Sequence, residues 1–82
     1  MRLHMPPKII YFSKKAPTLD EAQELVGGHV QMIILPATGN QMLVNEEPVH
    51  DEFNEEASEI AGLRLVGDVI ILQGAARWKR KE

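Results

Sequence analysis

The chain has 82 residues, a formal net charge of −3, 44% hydrophobic content and no cysteine. That length makes one domain, 1–82, which buries only about 60–65% of the surface its unfolded chain exposes. The missing cysteines exclude a disulfide framework, a thiolate zinc site and a cysteine nucleophile, and they point to a reducing compartment, the cytoplasm.

The first strand signal is Lys8 to Phe12, apolar and rich in β-branched and aromatic residues, with Pro6 and Pro7 placed before it. After a polar loop, Thr18-Leu19-Asp20-Glu21 reads as a capping box opening a helix over 18–26. Leu19, Ala22, Leu25 and Val26 share one face of that helix, and Gly27-Gly28 ends it. His29 to Leu35 reads as a strand, with Val30, Met32 and Ile34 on one side and His29, Gln31, Ile33 and Leu35 on the other. Thr38-Gly39-Asn40 is a turn, and Gln41 to Val44 resumes the strand pattern, which makes a hairpin.

Asn45 to Glu52 is an acidic loop interrupted by Pro48. Asn54 is the N-cap of a short second helix over 54–61, with Glu55 and Glu56 facing the positive end of its dipole. Val66 to Leu72 closes the pattern, and its body Val69-Ile70-Ile71-Leu72, apolar on both faces, belongs inside a sheet. The order β-α-β-β-α-β predicts an α+β domain with a four-stranded, mostly antiparallel sheet and two helices on one face. The match is to ferredoxin-like order or an irregular variant of it. The ordered core spans about 8–73, and about 74–82 reads as a flexible basic tail; deleting 77–82 should leave the melting midpoint nearly unchanged.

The charges are unevenly placed. Seven of the twelve acids lie between Glu46 and Glu59, and four of the nine bases are Arg77, Lys79, Arg80 and Lys81. The acidic stretch reads as a solvated helix face and loop. In the tail, the bases suit phosphate and Trp78 could stack on a base, so 77–81 is a possible but weak nucleic-acid contact. Against it stands the acidic balance of the rest of the chain, with Trp78 packed back on the domain as the plainer reading.

Other chemistries fare worse. His4, His29 and His50 fall in three separate segments without ligand spacing, so no metal site is expected. Ser13, Thr18, Thr38 and Ser58 lack a nucleophile-elbow context. The clustered carboxylates lack the contrast of environments that acid–base catalysis needs, which leaves a small hydrolase as the weakest alternative. Gly27-Gly28 follows a helix where a phosphate loop would precede one. Neither a catalytic set nor a cofactor is expected. No apolar run approaches the roughly 20 residues of a membrane helix, and no signal segment is visible.

Three stretches give the chain a family likeness. They are Glu24-Leu25-Val26-Gly27-Gly28-His29-Val30, then Met42-Leu43-Val44-Asn45-Glu46-Glu47, then Asn54 and Ala57 followed by Val66-Gly67-Asp68-Val69-Ile70. In this order they resemble the domain of unknown function 3846, found in small open reading frames of bacteriophages and mobile elements. The likeness covers about Thr18 to Leu72 and departs from the family at Pro48, where glycine is expected. It implies a phage or prophage source and a host-cytoplasmic setting, and it implies no activity.

These readings converge on a non-enzymatic accessory or binding protein acting on a host or phage protein or a small ligand. Its site is expected at Asn45, Glu46 and Glu47, where the hairpin leaves the sheet and a rigid scaffold holds polar groups. The plainer role for Asn45 is to cap the loop through its own backbone. Self-association as a dimer is also expected, because so small an aliphatic core has little margin alone.

Overall fold

The computed structural model describes residues 6–48 and 52–79. His4, His50, Arg80 and Lys81 lie outside the described residues. The elements are β1 (Ile9–Phe12), α1 (Leu19–Val26), β2 (Val30–Ile34), β3 (Gln41–Asn45), α2 (Glu55–Ala61) and β4 (Val69–Leu72), followed by a 3-10 turn at Gly74–Ala76. Among the described residues no helix is long and apolar enough to cross a membrane.

Local chemistry sets the helix ends. The Glu21 amide donates to Thr18 Oγ1 at 3.1 Å and the Thr18 amide donates to Glu21 Oε1 at 2.8 Å, completing the capping box of α1. Gly27 stops the helix with φ of 84°, a conformation that strains any residue bearing a Cβ. Asn54 Oδ1 accepts from the Ala57 amide at the start of α2. The chain on either side of α2 pairs with itself, through a bridge between Phe53 and Val66 and an Asn54 amide to Leu65 carbonyl bond of 2.9 Å. A seven-residue helix is too short to persist alone, and this stem holds it in place.

The domain is α+β, as the sequence predicts, with the strand order β1-β4-β3-β2. β2 and β3 form the expected antiparallel hairpin, β3 and β4 pair antiparallel, and β1 pairs parallel with β4. The arrangement is therefore an irregular variant rather than the ferredoxin-like one. β1 and β2 run the same way, but both β4 and β3 stand between them. β4 is interior and buried along its whole length.

One expectation is corrected: the helices do not share a face. α1 contributes Ala22 and Val26 to a cluster with Leu43, Ile70 and Leu72. α2 contributes Ala57 to a second cluster with Met42, Val44, Val69 and Ile71. Side chains alternate along a strand, so consecutive apolar residues in β3 and β4 present apolar groups on both sides. Helices on a single face would leave Met42, Val44, Val69 and Ile71 in water. The core is thus divided by the sheet into two layers.

The end of the described chain is also corrected. The sequence suggests a flexible tail from about 74, yet Gly74–Ala76 forms a turn of 3-10 helix and Ala76 is fully buried. Trp78 packs against the α1-side cluster. Its indole donates to the Pro17 carbonyl at 2.9 Å, and the Gln41 side chain clasps its backbone, accepting from the amide at 2.6 Å and donating to the carbonyl at 2.7 Å. Burying a large aromatic surface with its N–H satisfied outweighs the entropy of a free end.

Candidate binding surface

Asn45 ends β3, and its side chain is already engaged. Nδ2 donates to the Val26 carbonyl, the last residue of α1, at 3.2 Å. Oδ1 accepts from the Glu47 amide at 2.9 Å, closing a turn of the kind asparagine makes with its own backbone. The Glu46 amide donates to the His29 carbonyl at 2.7 Å, extending the β2–β3 ladder by one bond. Gly28 lies so near that a Cβ there would sit 3.0 Å from Asn45 Nδ2. The hairpin exit is therefore a latch between the end of α1 and the sheet. Of the three residues, Asn45 is occupied structurally, while Glu46 and Glu47 are exposed at the rim.

Two stretches distant in sequence, Val26-Gly27-Gly28 and Asn45-Glu46-Glu47, meet at this latch. A second junction forms at Asn54, which is 2% exposed. Its Nδ2 donates to the Gly67 carbonyl at 2.8 Å and the Lys8 carbonyl at 3.3 Å. Asp68 next door accepts from the Lys8 amide at 3.0 Å and faces the Lys8 ammonium at 3.2 Å. These residues hold strand ends and helix caps together.

Thr18, Ser58 and His29 also have local partners. Thr18 caps α1, and Ser58 Oγ both accepts from the Leu65 amide at 2.8 Å and lies 3.2 Å from the Leu65 carbonyl. His29 Nδ1 lies 3.4 Å from Gln23 Nε2. Trp78, offered by the sequence as a stacking platform, is turned inward. Arg77 is spread along the backbone, its Nη1 donating to the Gly39 carbonyl at 3.2 Å and its Nε to the Gly74 carbonyl at 3.3 Å. Lys79 is exposed.

Two neighbouring depressions lie on the α2 side. A groove of about 290 Å³ runs between Gln31 and Ile33 of β2, Val44 and Asn45 of β3, Pro48, and loop 63–66. Beside it a wider depression of about 470 Å³ is lined by Phe53, Leu63, Arg64 and the α2 residues Glu55, Ser58 and Glu59. Leu63 and Arg64 form the ridge shared by both. Phe53 is 46% and Leu63 48% exposed, and the Arg64 guanidinium stands 5.1 Å from the centre of the Phe53 ring. That cation–π contact holds a flexible arginine over an aromatic face beside two carboxylates. Sequence reasoning missed Phe53, Leu63 and Arg64, because a lone aromatic and a lone leucine in loops carry no periodicity. Only the pairing of the segments around α2 brings them together.

No protein-family model matches this chain, and neither a curated protein nor a solved structure matches it.

Proposed function

We propose that the chain is a non-enzymatic binding protein that docks a protein partner on its α2 side, across the ridge formed by Leu63 and Arg64. The observation that carries this reading is the exposure of Phe53 and Leu63 beside an anchored arginine, in a depression rimmed by Glu55 and Glu59. Aromatic residues and arginine are the side chains that dominate protein interfaces. The acids at the rim, with Glu46 and Glu47 beyond the groove, favour a partner that presents apolar side chains within a basic surround. The motif likeness supports a phage or mobile-element source and a partner in the host cytoplasm. The structural employment of Thr18, Asn45, Asn54 and Ser58 supports binding over catalysis. The inward-turned Trp78 weakens the nucleic-acid alternative.

A photo-reactive side chain at Leu63 and another at Leu19, an exposed apolar residue of α1, test the surface in cells. The reading expects a discrete crosslinked partner from position 63 that is absent from position 19. It expects loss of that partner in the variant Phe53→Ser at temperatures where circular dichroism shows the variant still folded. Equal crosslinking from both positions, or a partner retained by Phe53→Ser, refutes it.

A further inference from the structure

We infer that two copies of this chain pair through the free edge of β2, in antiparallel register about Met32, to form one continuous eight-stranded sheet. β1 and β2 are the two edges of the sheet. β1 is guarded in the way natural edges usually are, by Pro6, Pro7 and Lys8 before it and Lys14 and Lys15 after it. Within β2 itself, Val30–Ile34, there is no such guard: it holds no proline, lysine, arginine, aspartate or glutamate, and Pro36 stands beyond its end. Met32 is 39% and Ile34 50% exposed.

The ladder to β3 dictates which backbone groups are free. The Glu46 amide bonds to the His29 carbonyl, and the Leu35 amide bonds to the Asn40 carbonyl. His29 and Leu35 thus face β3, and by the alternation of an antiparallel ladder so do Gln31 and Ile33. The amides and carbonyls of Val30, Met32 and Ile34 point outward. A two-fold axis at Met32 sets Met32 against its own copy and Val30 against Ile34, so all three outward residues pair in both directions. The side chains meeting on the α1 face are then all apolar. On the α2 face Ile33 of each copy meets Gln31 of the other, which joins the two grooves across the axis.

Charge favours the same partner. Glu46 and Glu47 stand at the His29 end of β2, and Arg77 is anchored on Gly39 beyond the Leu35 end. The two-fold places His29 opposite Leu35, so the acidic end of each copy approaches the arginine end of the other. This pairing is independent of the α2-side ridge, and neither reading depends on the other.

The chain has no cysteine, so single replacements report the register directly. A hydrogen-bonded antiparallel pair places Cα atoms about 5.5 Å apart, within reach of a short thiol-to-thiol crosslinker. Met32→Cys should therefore be joined efficiently by a short bis-maleimide, whereas Tyr11→Cys at the β1 edge should remain uncrosslinked. Sedimentation equilibrium on the unmodified chain should give twice the 9.2 kDa monomer mass. Met32→Lys, which opposes like charges on the axis, should require at least about tenfold higher concentration to associate. Mixing that variant with Met32→Glu should restore the dimer. A monomer up to about a hundred micromolar overturns the inference. So does a dimer unaffected by Met32→Lys, or crosslinking equal at both edges.

Discussion

Replacing Asn54 separates two roles that a capping asparagine can play. Its Oδ1 accepts from the Ala57 amide, and its Nδ2 donates to the Gly67 and Lys8 carbonyls at 2.8 and 3.3 Å, all in a side chain 2% exposed. Asn54→Ala removes the cap, at about 1 kcal/mol. It also strips a donor from part-buried carbonyls, at about 1–3 kcal/mol, for a total of about 2–4 kcal/mol. For a domain of this size each kcal/mol moves the melting midpoint by about 4–8 °C, so a fall of at least about 8 °C is expected. Asn54→Asp is the sharper test. Aspartate is as good an N-cap as asparagine and suits the positive end of the α2 dipole, so capping alone predicts no loss. The structure predicts a loss at least as large as that of alanine, because a carboxylate would face two carbonyl oxygens without a proton to offer. Burial and those oxygens raise the folded-state pKa of such a carboxyl, so the penalty should shrink as the pH falls and the group gains a donor. Urea unfolding followed by far-UV circular dichroism at neutral and mildly acidic pH measures all three. Asn54→Asp within about 0.5 kcal/mol of the parent at neutral pH would show that the Gly67 and Lys8 bonds contribute nothing and refute the reasoning.

Trp78, the only tryptophan, should be partly protected from acrylamide quenching in the native state, and Trp78→Ala should cost somewhat less than the ~3–5 kcal/mol of a fully buried aromatic, because Trp78 is partly buried. Deleting 77–82 should lower the melting midpoint by at least about 8 °C, which an unordered tail would not do. At the latch, Gly28→Ala should destabilise because its Cβ would press on the Asn45 amide at 3.0 Å, and Asn45→Ala should destabilise by losing the Val26 and Glu47 bonds. Combined, they should cost less than their sum by about 0.5 kcal/mol or more, since the second change removes the clash of the first; additive losses in denaturant titrations would contradict the contact.

Much of the fold is legible in the sequence because local chemistry decides it. The capping box at Thr18, the left-handed Gly27, the Asn54 cap and the hairpin around Gly39 each follow from residues within a few positions. The interior place of β4 is legible too, from four consecutive apolar residues. The same signal also stood in Met42-Leu43-Val44, and two adjacent strands apolar on both sides require cover on both faces. Taken together, those runs exclude helices on a single face. Strand order was beyond reach, since parallel pairing of β1 with β4 joins residues about sixty positions apart, and nothing local selects it. The tail misled for a different reason. Its charges suggest solvent, while the bonds that fix it run to Gln41 and Pro17, far away in sequence. At the candidate site the sequence located Asn45 but could not show that its amide is already used, and it gave no hint of Phe53 and Arg64, which are joined only by folding.

The claim that the α2-side ridge is the binding surface is tested most directly by amide and methyl chemical shifts of the labelled chain, recorded with and without the protein partner captured through position 63. The account predicts that the largest shifts fall on Phe53, Leu63, Arg64 and Ile33, with Trp78 and the α1 residues Leu19 and Leu25 unmoved. Shifts centred on α1 or on residues 74–79, with the ridge unmoved, would contradict it.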